Sequence, residues 1–228
     1  RLRLEHELDP IAGPRRVACV TSAIAGSSPG DVVQLEMQMT GPGGGFAPAE
    51  VDPSLFLVVQ TGTNAGVVVV GAAGNGAQNL DSAPYAGWMS WGDSGAIIVG
   101  GGLPNTSHSH DFLSSYGSRV NMQGWGFAVF TLGYGTYAAY GGDENQEYAD
   151  FFSGTSAATP FVSGAAVALQ GKYKELNGGS VMSPQEIRDH LIATGIPQGS
   201  GPNIGPFPDM RAALDELLGP EIVNYCTS

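Results

Sequence analysis

The sequence predicts an α/β fold built on a largely parallel sheet with helices on both faces. Two short runs, Val67-Val68-Val69-Val70 and Ala96-Ile97-Ile98-Val99, are apolar without alternation and bracketed by glycines. That is the pattern of strands buried on both faces. Strand and helix signals alternate along the first two-thirds of the chain, as a parallel sheet with crossover helices requires. Hydrophobic residues make up 42% and charged residues 13% of the 228 residues, which favours a compact globule over a disordered chain. No repeat and no linker of domain-separating length interrupts it, so residues 1–228 read as a single domain.

Residues 1–16 are mixed and polar, with Pro10 and Pro14, and read as an irregular lead-in. Residues 17–25 read as a helix, broken by Gly26-Ser27-Ser28-Pro29-Gly30, and residues 31–37 as a strand. Residues 41–45, Gly-Pro-Gly-Gly-Gly, read as a flexible loop. Asp52-Pro53 gives a cap and a first-turn proline for a helix ending near Gly62. Strands are expected at residues 66–71, 96–99, 120–124 and 128–132. Residues 141–150 carry Asp143, Glu144, Glu147 and Asp150 and read as an acidic loop. Ser183-Pro184-Gln185-Glu186 is a capping box opening a helix to about Ala193, and residues 208–218 form a last amphipathic helix.

Nine basic against 21 acidic residues give a net charge of −12, which repels nucleic acid. No apolar run reaches the ~20 residues that span a bilayer. Neither nucleic acid nor a membrane is therefore expected as a partner. The two cysteines, Cys19 and Cys226, fit one disulfide or two free thiols equally well. Asn105-Thr106-Ser107 is a glycosylation pattern that matters only in a secretory setting.

The stretch Ser153-Gly154-Thr155-Ser156-Ala157-Ala158-Thr159-Pro160 puts hydroxyls at the head of a helix of unusually small residues. From Ala157 to Gln170 it lacks charge and a polar stripe, which predicts burial all round. Thr155 or Ser156 is expected to cap it. Ser156 would then sit at the positive helix end, where free N–H groups stabilise an oxyanion. By itself this stretch also fits a capped core helix and nothing more.

Several segments together resemble the subtilisin-like serine peptidases. Gly154-Thr155-Ser156-Ala157-Ala158-Thr159-Pro160-Phe161-Val162-Ser163-Gly164 is similar to that family's nucleophile motif. Val67 to Gly76 resembles its oxyanion-hole strand and turn, and Ser94 to Gly100 the strand that follows. Phe112 to Ser118, Gln123 to Gly126 and the strand at residues 31–37 resemble further family segments, in the family's order. The resemblance implies a three-layer fold incomplete at its N-terminal side, and a secreted endopeptidase acting on peptides or proteins. It makes Ser156 the nucleophile and Asn75 an oxyanion donor beside the Ser156 N–H. Read without it, Gly74-Asn75-Gly76 fits a turn with Asn75 in the left-handed conformation. The resemblance also gives two cleft walls: Leu35, Glu36, Met37 and Gln38 on one side, Ala72, Ala73 and Gly74 on the other, with Thr155 close by. Glu36, Met37 and Gln38 depart from the family's usual Ser-Leu-Gly, and a carboxylate at Glu36 would either favour basic substrate residues or face away. No cofactor is needed for the chemistry. A structural calcium ion is compatible with the family, with Asp81 its one candidate ligand.

The family's His-Gly-Thr-His motif does not occur in these 228 residues, and the Asp-Ser-Gly triplet that does, Asp93-Ser94-Gly95, follows the Asn75 turn instead of preceding it as the family's order requires. His6, His108, His110 and His190 all lie outside matching contexts and read as solvated or structural. The expectation is an N-terminal companion chain or cleaved segment that supplies the Asp and His. The alternative is an inactive fragment or subunit that binds protein, peptide or carbohydrate on a peptidase fold.

Overall fold

The computed structural model describes residues 12–219. The elements run α1 (Ala12–Ala25), β1 (Val32–Leu35), β2 (Gln38–Thr40), β3 (Phe46–Pro48), α2 (Pro53–Asn64), β4 (Val68–Ala72), the short α3 (Ala86–Met89) and β5 (Ile97–Gly102). They continue with β6 (Met122–Trp125), β7 (Val129–Leu132), β8 (Ala138–Ala139), β9 (Glu147–Phe152), α4 (Thr155–Leu176), α5 (Pro184–Thr194) and α6 (Met210–Leu218).

Four parallel strands in the order β1-β4-β5-β6 form the central sheet, with Val33 opposite Val69, Val70 opposite Ile97 and Val99 opposite Met122. Successive side chains of a strand point to opposite faces. Val67 and Val69 accordingly join Val20 of α1 and Leu55, Phe56 and Val59 of α2 in one core. Val68 and Val70 join Val162, Leu169, Ile187 and Leu191 of α4 and α5 in the other. The sheet is thus covered on both faces, and the three-layer expectation holds.

Local chemistry explains the element ends. The Asp52 carboxylate accepts from the N–H groups of Ser54 and Leu55, with Pro53 at the first helical position. The capping box at Ser183 and Glu186 is formed in both directions.

Some expectations need correction. Helix α1 begins at Ala12, because Pro14 falls in the first turn, where a missing N–H costs nothing. Strand β1 stops at Leu35, and the glycine-rich residues 41–45 close a β2–β3 hairpin through the Gly41 N–H to the Gly45 carbonyl. The acidic loop is instead a short 3₁₀ turn (Glu144–Gln146) followed by β9, the middle strand of an antiparallel β7-β9-β8 sheet. Helix α4 is not buried all round. Pro160, Gly164, Val167, Ala168 and Gly171 form an exposed stripe, with Val167 56% exposed, since no described element covers that side.

A buried ionic network went unforeseen. The Arg119 guanidinium meets Glu50 at 2.9 Å and Asp93 at 3.3 Å, and Arg188 donates to both Asp93 oxygens. Glu50, Arg119 and Arg188 are all buried. Pairing is what makes burial of such charges tolerable.

Candidate active site

The site forms where the turn after β4 meets the head of α4. Gly154 is the cap residue of α4, with φ 99°, so neither Thr155 nor Ser156 caps the helix. A side chain at Gly154 would meet Asn75 Nδ2 at 2.8 Å, so glycine is required twice over, for its backbone and for its neighbour.

Thr155 is fully buried and ties the two segments together. Its N–H and its Oγ1 both donate to Asn75 Oδ1, at 2.7 and 2.9 Å. The same Oγ1 accepts from the Gly74 N–H at 3.1 Å. With Oδ1 held by two donors, the amide cannot flip without losing both, and Nδ2 is left as the outward donor. It donates to no protein group among the described residues. The backbone of Asn75 is fixed separately, its N–H donating to Gln38 Oε1 at 2.8 Å. Gly74 takes the left-handed backbone, φ 91°, and Asn75 does not, so the simple turn reading of Asn75 is set aside.

The Ser156 hydroxyl is half-buried and donates to the Glu36 carbonyl at 3.2 Å across the cleft. As the second residue of α4, Ser156 has a backbone N–H without an intrahelical partner. Two unpaired N–H donors, Asn75 Nδ2 against Gly154 and the Ser156 backbone, thus lie at the head of α4. A carbonyl attacked there would develop its negative charge at the positive end of a 22-residue helix.

The remaining wall residues divide by role. Leu35 and Met37 pack into the core below the sheet. Ala72 and Ala73 are buried, and Ala73 donates to the Val99 carbonyl, so this wall is backbone and small side chains. Glu36 and Met37 line a cavity of about 350 Å³ with Cys19, Val20 and Ala23 of α1. Burial pushes the Glu36 carboxyl up, and a hydrogen bond from Gln34 partly opposes it. Missed in the sequence is the β2–β3 hairpin behind the turn. A side chain at Gly74 would meet the Ala47 backbone at 2.7 Å, and one at Gly76 would strike Phe46. The repeated glycines were the available signal.

Asp81 lies away from this cleft. Both its oxygens accept from the Ser118 N–H, and Oδ1 also takes the Ser118 hydroxyl. Among the described residues no group of three or more His, Cys, Asp or Glu is placed to hold a metal ion. His6 and Cys226 fall outside the described residues. His108 stacks on Phe207 at 5.0 Å, and His110 Nε2 lies 2.9 Å from the Ser114 carbonyl. His190, which reads from the sequence as solvated or structural, sits on α5. It is half-buried, with Nε2 2.8 Å from the Ala213 carbonyl. None of these three is hydrogen-bonded to Ser156.

A serine hydroxyl at a helix head above a parallel sheet, with unpaired N–H donors at the same helix head, is an arrangement that acyl-transfer chemistry can use. The chain belongs to the subtilase family, whose peptidase S8 model matches residues 23–215. It is 30% identical over 161 residues to subtilisin NAT of Bacillus subtilis subsp. natto, covering 70% of this chain and 35% of that protein. Its fold is similar to a lanthipeptide protease, with TM-score 0.65 and 17% identity over 90% of this chain and 66% of that one. It is also similar to the self-cleaved protease domain of PatA, with TM-score 0.61 and 19% identity, covering 94% and 70% of the two chains. The chain spans about a third to a half of the length of the subtilisins it matches.

Proposed function

We propose that this chain carries the nucleophile and oxyanion hole of a serine endopeptidase, with Ser156 forming the acyl-enzyme. The observation that carries the reading is the Thr155 lock on Asn75, which leaves Nδ2 free at the head of α4, against Gly154. Ser156 Oγ attacks a peptide carbonyl while a histidine takes its proton. The oxyanion receives hydrogen bonds from Asn75 Nδ2 and the Ser156 N–H. The intermediate then expels the amine, protonated by the same histidine, and water hydrolyses the ester.

In this reading the histidine and its aspartate come from a further segment, on the same natural chain or as a cleaved companion. Two features support a further segment. Strand β1 pairs only with β4 and leaves an open sheet edge among the described residues. The apolar stripe of α4 at Pro160, Gly164 and Val167 is uncovered. Open edges and apolar stripes of this kind are normally covered. Secretion, and processing of a longer precursor, belong to the same proposal.

A fluorophosphonate probe tests it on the whole natural protein. Labelling that vanishes in Ser156→Ala supports the peptidase. A folded protein whose Ser156 stays unlabelled, with any companion chain seen by denaturing mass spectrometry present, supports the second reading, a non-catalytic binding module. That reading draws its support from the lack of a His-Gly-Thr-His motif in these residues and from Asp93 of the Asp-Ser-Gly triplet being paired with Arg119 and Arg188, not with a histidine.

A further inference from the structure

The β7-β9-β8 sheet plays no part in the oxyanion hole, yet it is tied to the nucleophile at both feet. The Gly154 N–H donates to the Gly126 carbonyl at 2.7 Å, just before β7. The Ala128 N–H donates to Ser153 Oγ, just after β9. Both feet of the hairpin are therefore held within three residues of Ser156.

Its surface is unusual for one facing water. Residues 127–152 contain eight aromatic side chains, four carboxylates and no lysine or arginine. Phe130 is 57% exposed, Tyr137 61% and Tyr134 71%. Phe130 touches Tyr137 with centroids 5.0 Å apart and Tyr148 at 6.2 Å, and Tyr148 touches Tyr140 at 6.1 Å. Four rings thus make one continuous patch. Glu144 and Asp150 stand exposed in the same hairpin, and among the described residues they and Glu147 form no ion pair. Asp143 is occupied locally, accepting from Asn145 and Gln146.

Charge selects the occupant. A second copy would set carboxylates against carboxylates, on chains of net charge −12. Nucleic acid and anionic lipid are repelled for the same reason. A neutral sugar can stack on the rings but leaves the carboxylates without a counter-charge. A polypeptide segment bearing Lys or Arg together with apolar side chains satisfies both features, through cation–π contact with the rings and pairing with the acids.

We propose that the hairpin at residues 127–152 is an exosite for a cationic, apolar-containing segment of the polypeptide that Ser156 cleaves. Its use in cleavage rests on the peptidase reading; the binding itself does not. Seating a flanking segment there would raise the effective concentration of the scissile bond at Ser156.

The test uses the whole natural protein carrying Ser156→Ala and fluorescent twelve-residue peptides of alternating Lys-Phe or Glu-Phe, read by anisotropy. The Lys-Phe peptide should bind at least ~10-fold more tightly than Glu-Phe, and the gap should shrink at high salt. Phe130→Ser with Tyr137→Ser should weaken Lys-Phe binding ~10-fold, as should Glu144→Gln with Glu147→Gln and Asp150→Asn. The triple charge variant changes only carboxylates that form no ion pair among the described residues, so it remains informative if the aromatic variant misfolds. Equal affinity for the two peptides, a charge variant that binds like the parent, or tighter binding of a neutral chito-oligosaccharide would each overturn the proposal. Fluorophosphonate labelling with Ser156 intact separates the two claims. Peptide preference without labelling keeps the exosite and sinks the peptidase; labelling without preference does the reverse.

Discussion

Replacing Thr155 by Val removes one hydroxyl and keeps the shape. That oxygen holds two bonds, donating to Asn75 Oδ1 at 2.9 Å and accepting from the Gly74 N–H at 3.1 Å. Thr155 is 1% exposed and Gly74 is buried, so water cannot replace the lost acceptor. A stranded buried N–H costs about 1–3 kcal/mol, and the lost bond to Asn75 adds roughly 1 kcal/mol. The methyl group recovers about 0.8 kcal/mol of apolar burial. The net expectation is a destabilisation of about 2 kcal/mol, read from the urea midpoint at constant m-value. Thr159→Val is the matched control. Its hydroxyl donates only to the Thr155 carbonyl, and its removal strands no buried donor, so the cost should stay below about 1 kcal/mol.

The chemistry should follow the same lock. With one of two donors to Oδ1 gone, the Asn75 amide is less firmly aimed but still present. Fluorophosphonate labelling of Ser156 should slow roughly tenfold, short of the 10²–10³ that loss of the corresponding donor costs in subtilisin itself. Thr155→Val and Thr159→Val variants that match in midpoint and labelling rate would refute the lock.

Other variants probe other parts of the structure. Burial works against ionisation of Asp93, but Arg188, Arg119 and the Gly95 N–H outweigh it and hold its pKa at about 2, against an ordinary 3.8. A carboxyl depressed in the fold gives stability that is present above pH 3.8 and lost as pH falls towards 2. Asp93→Asn should therefore flatten the stability curve in that window, and parallel decline of variant and parent would count against it. Asp81→Ala, which frees Ser118, should cost about 1 kcal/mol whether calcium or a chelator is present; a penalty seen only with calcium would restore Asp81 as a ligand. Gln38→Ala removes the acceptor of the Asn75 N–H and should slow Ser156 labelling more than it lowers the unfolding midpoint, while Gln38→Glu, which keeps an acceptor, should recover most of the rate.

The layer architecture was legible because it rests on one-dimensional patterns. The run from Val67 to Val70 splits its side chains between two cores, and an unalternating apolar run can do so only between two covering layers. Caps at Asp52 and Ser183 were equally legible, since their partners lie two or three residues away. What failed was whatever depends on distant partners. The Arg119 to Glu50 pair joins residues 69 apart, and no local signal marks it. Residues 141–150 read as loop because acids interrupt the pattern, yet the strand at residues 147–152 is set by pairing to β7. Gln38 was taken for a cleft wall, and nothing near it in sequence says that its amide reaches the Asn75 backbone.

That last contact bears on how the site divides. The oxyanion turn is braced from below by Gln38, from behind by the Ala47 backbone against Gly74, and from α4 by Thr155. All three braces lie within this chain, on β2, on β3 and at the head of α4. What stays open among the described residues is the β1 edge and the exposed stripe of α4. In the proposed reading, the rigid electrostatic half of the site is complete without the base. A segment that docks on those open surfaces then supplies proton transfer alone. If so, Ser156→Ala and loss of the docking segment should both abolish labelling, while neither moves the Thr155–Asn75 lock. Amide exchange at the Gly74 N–H reports on that lock independently of activity, and faster exchange on removing the segment would show that the two halves are built together.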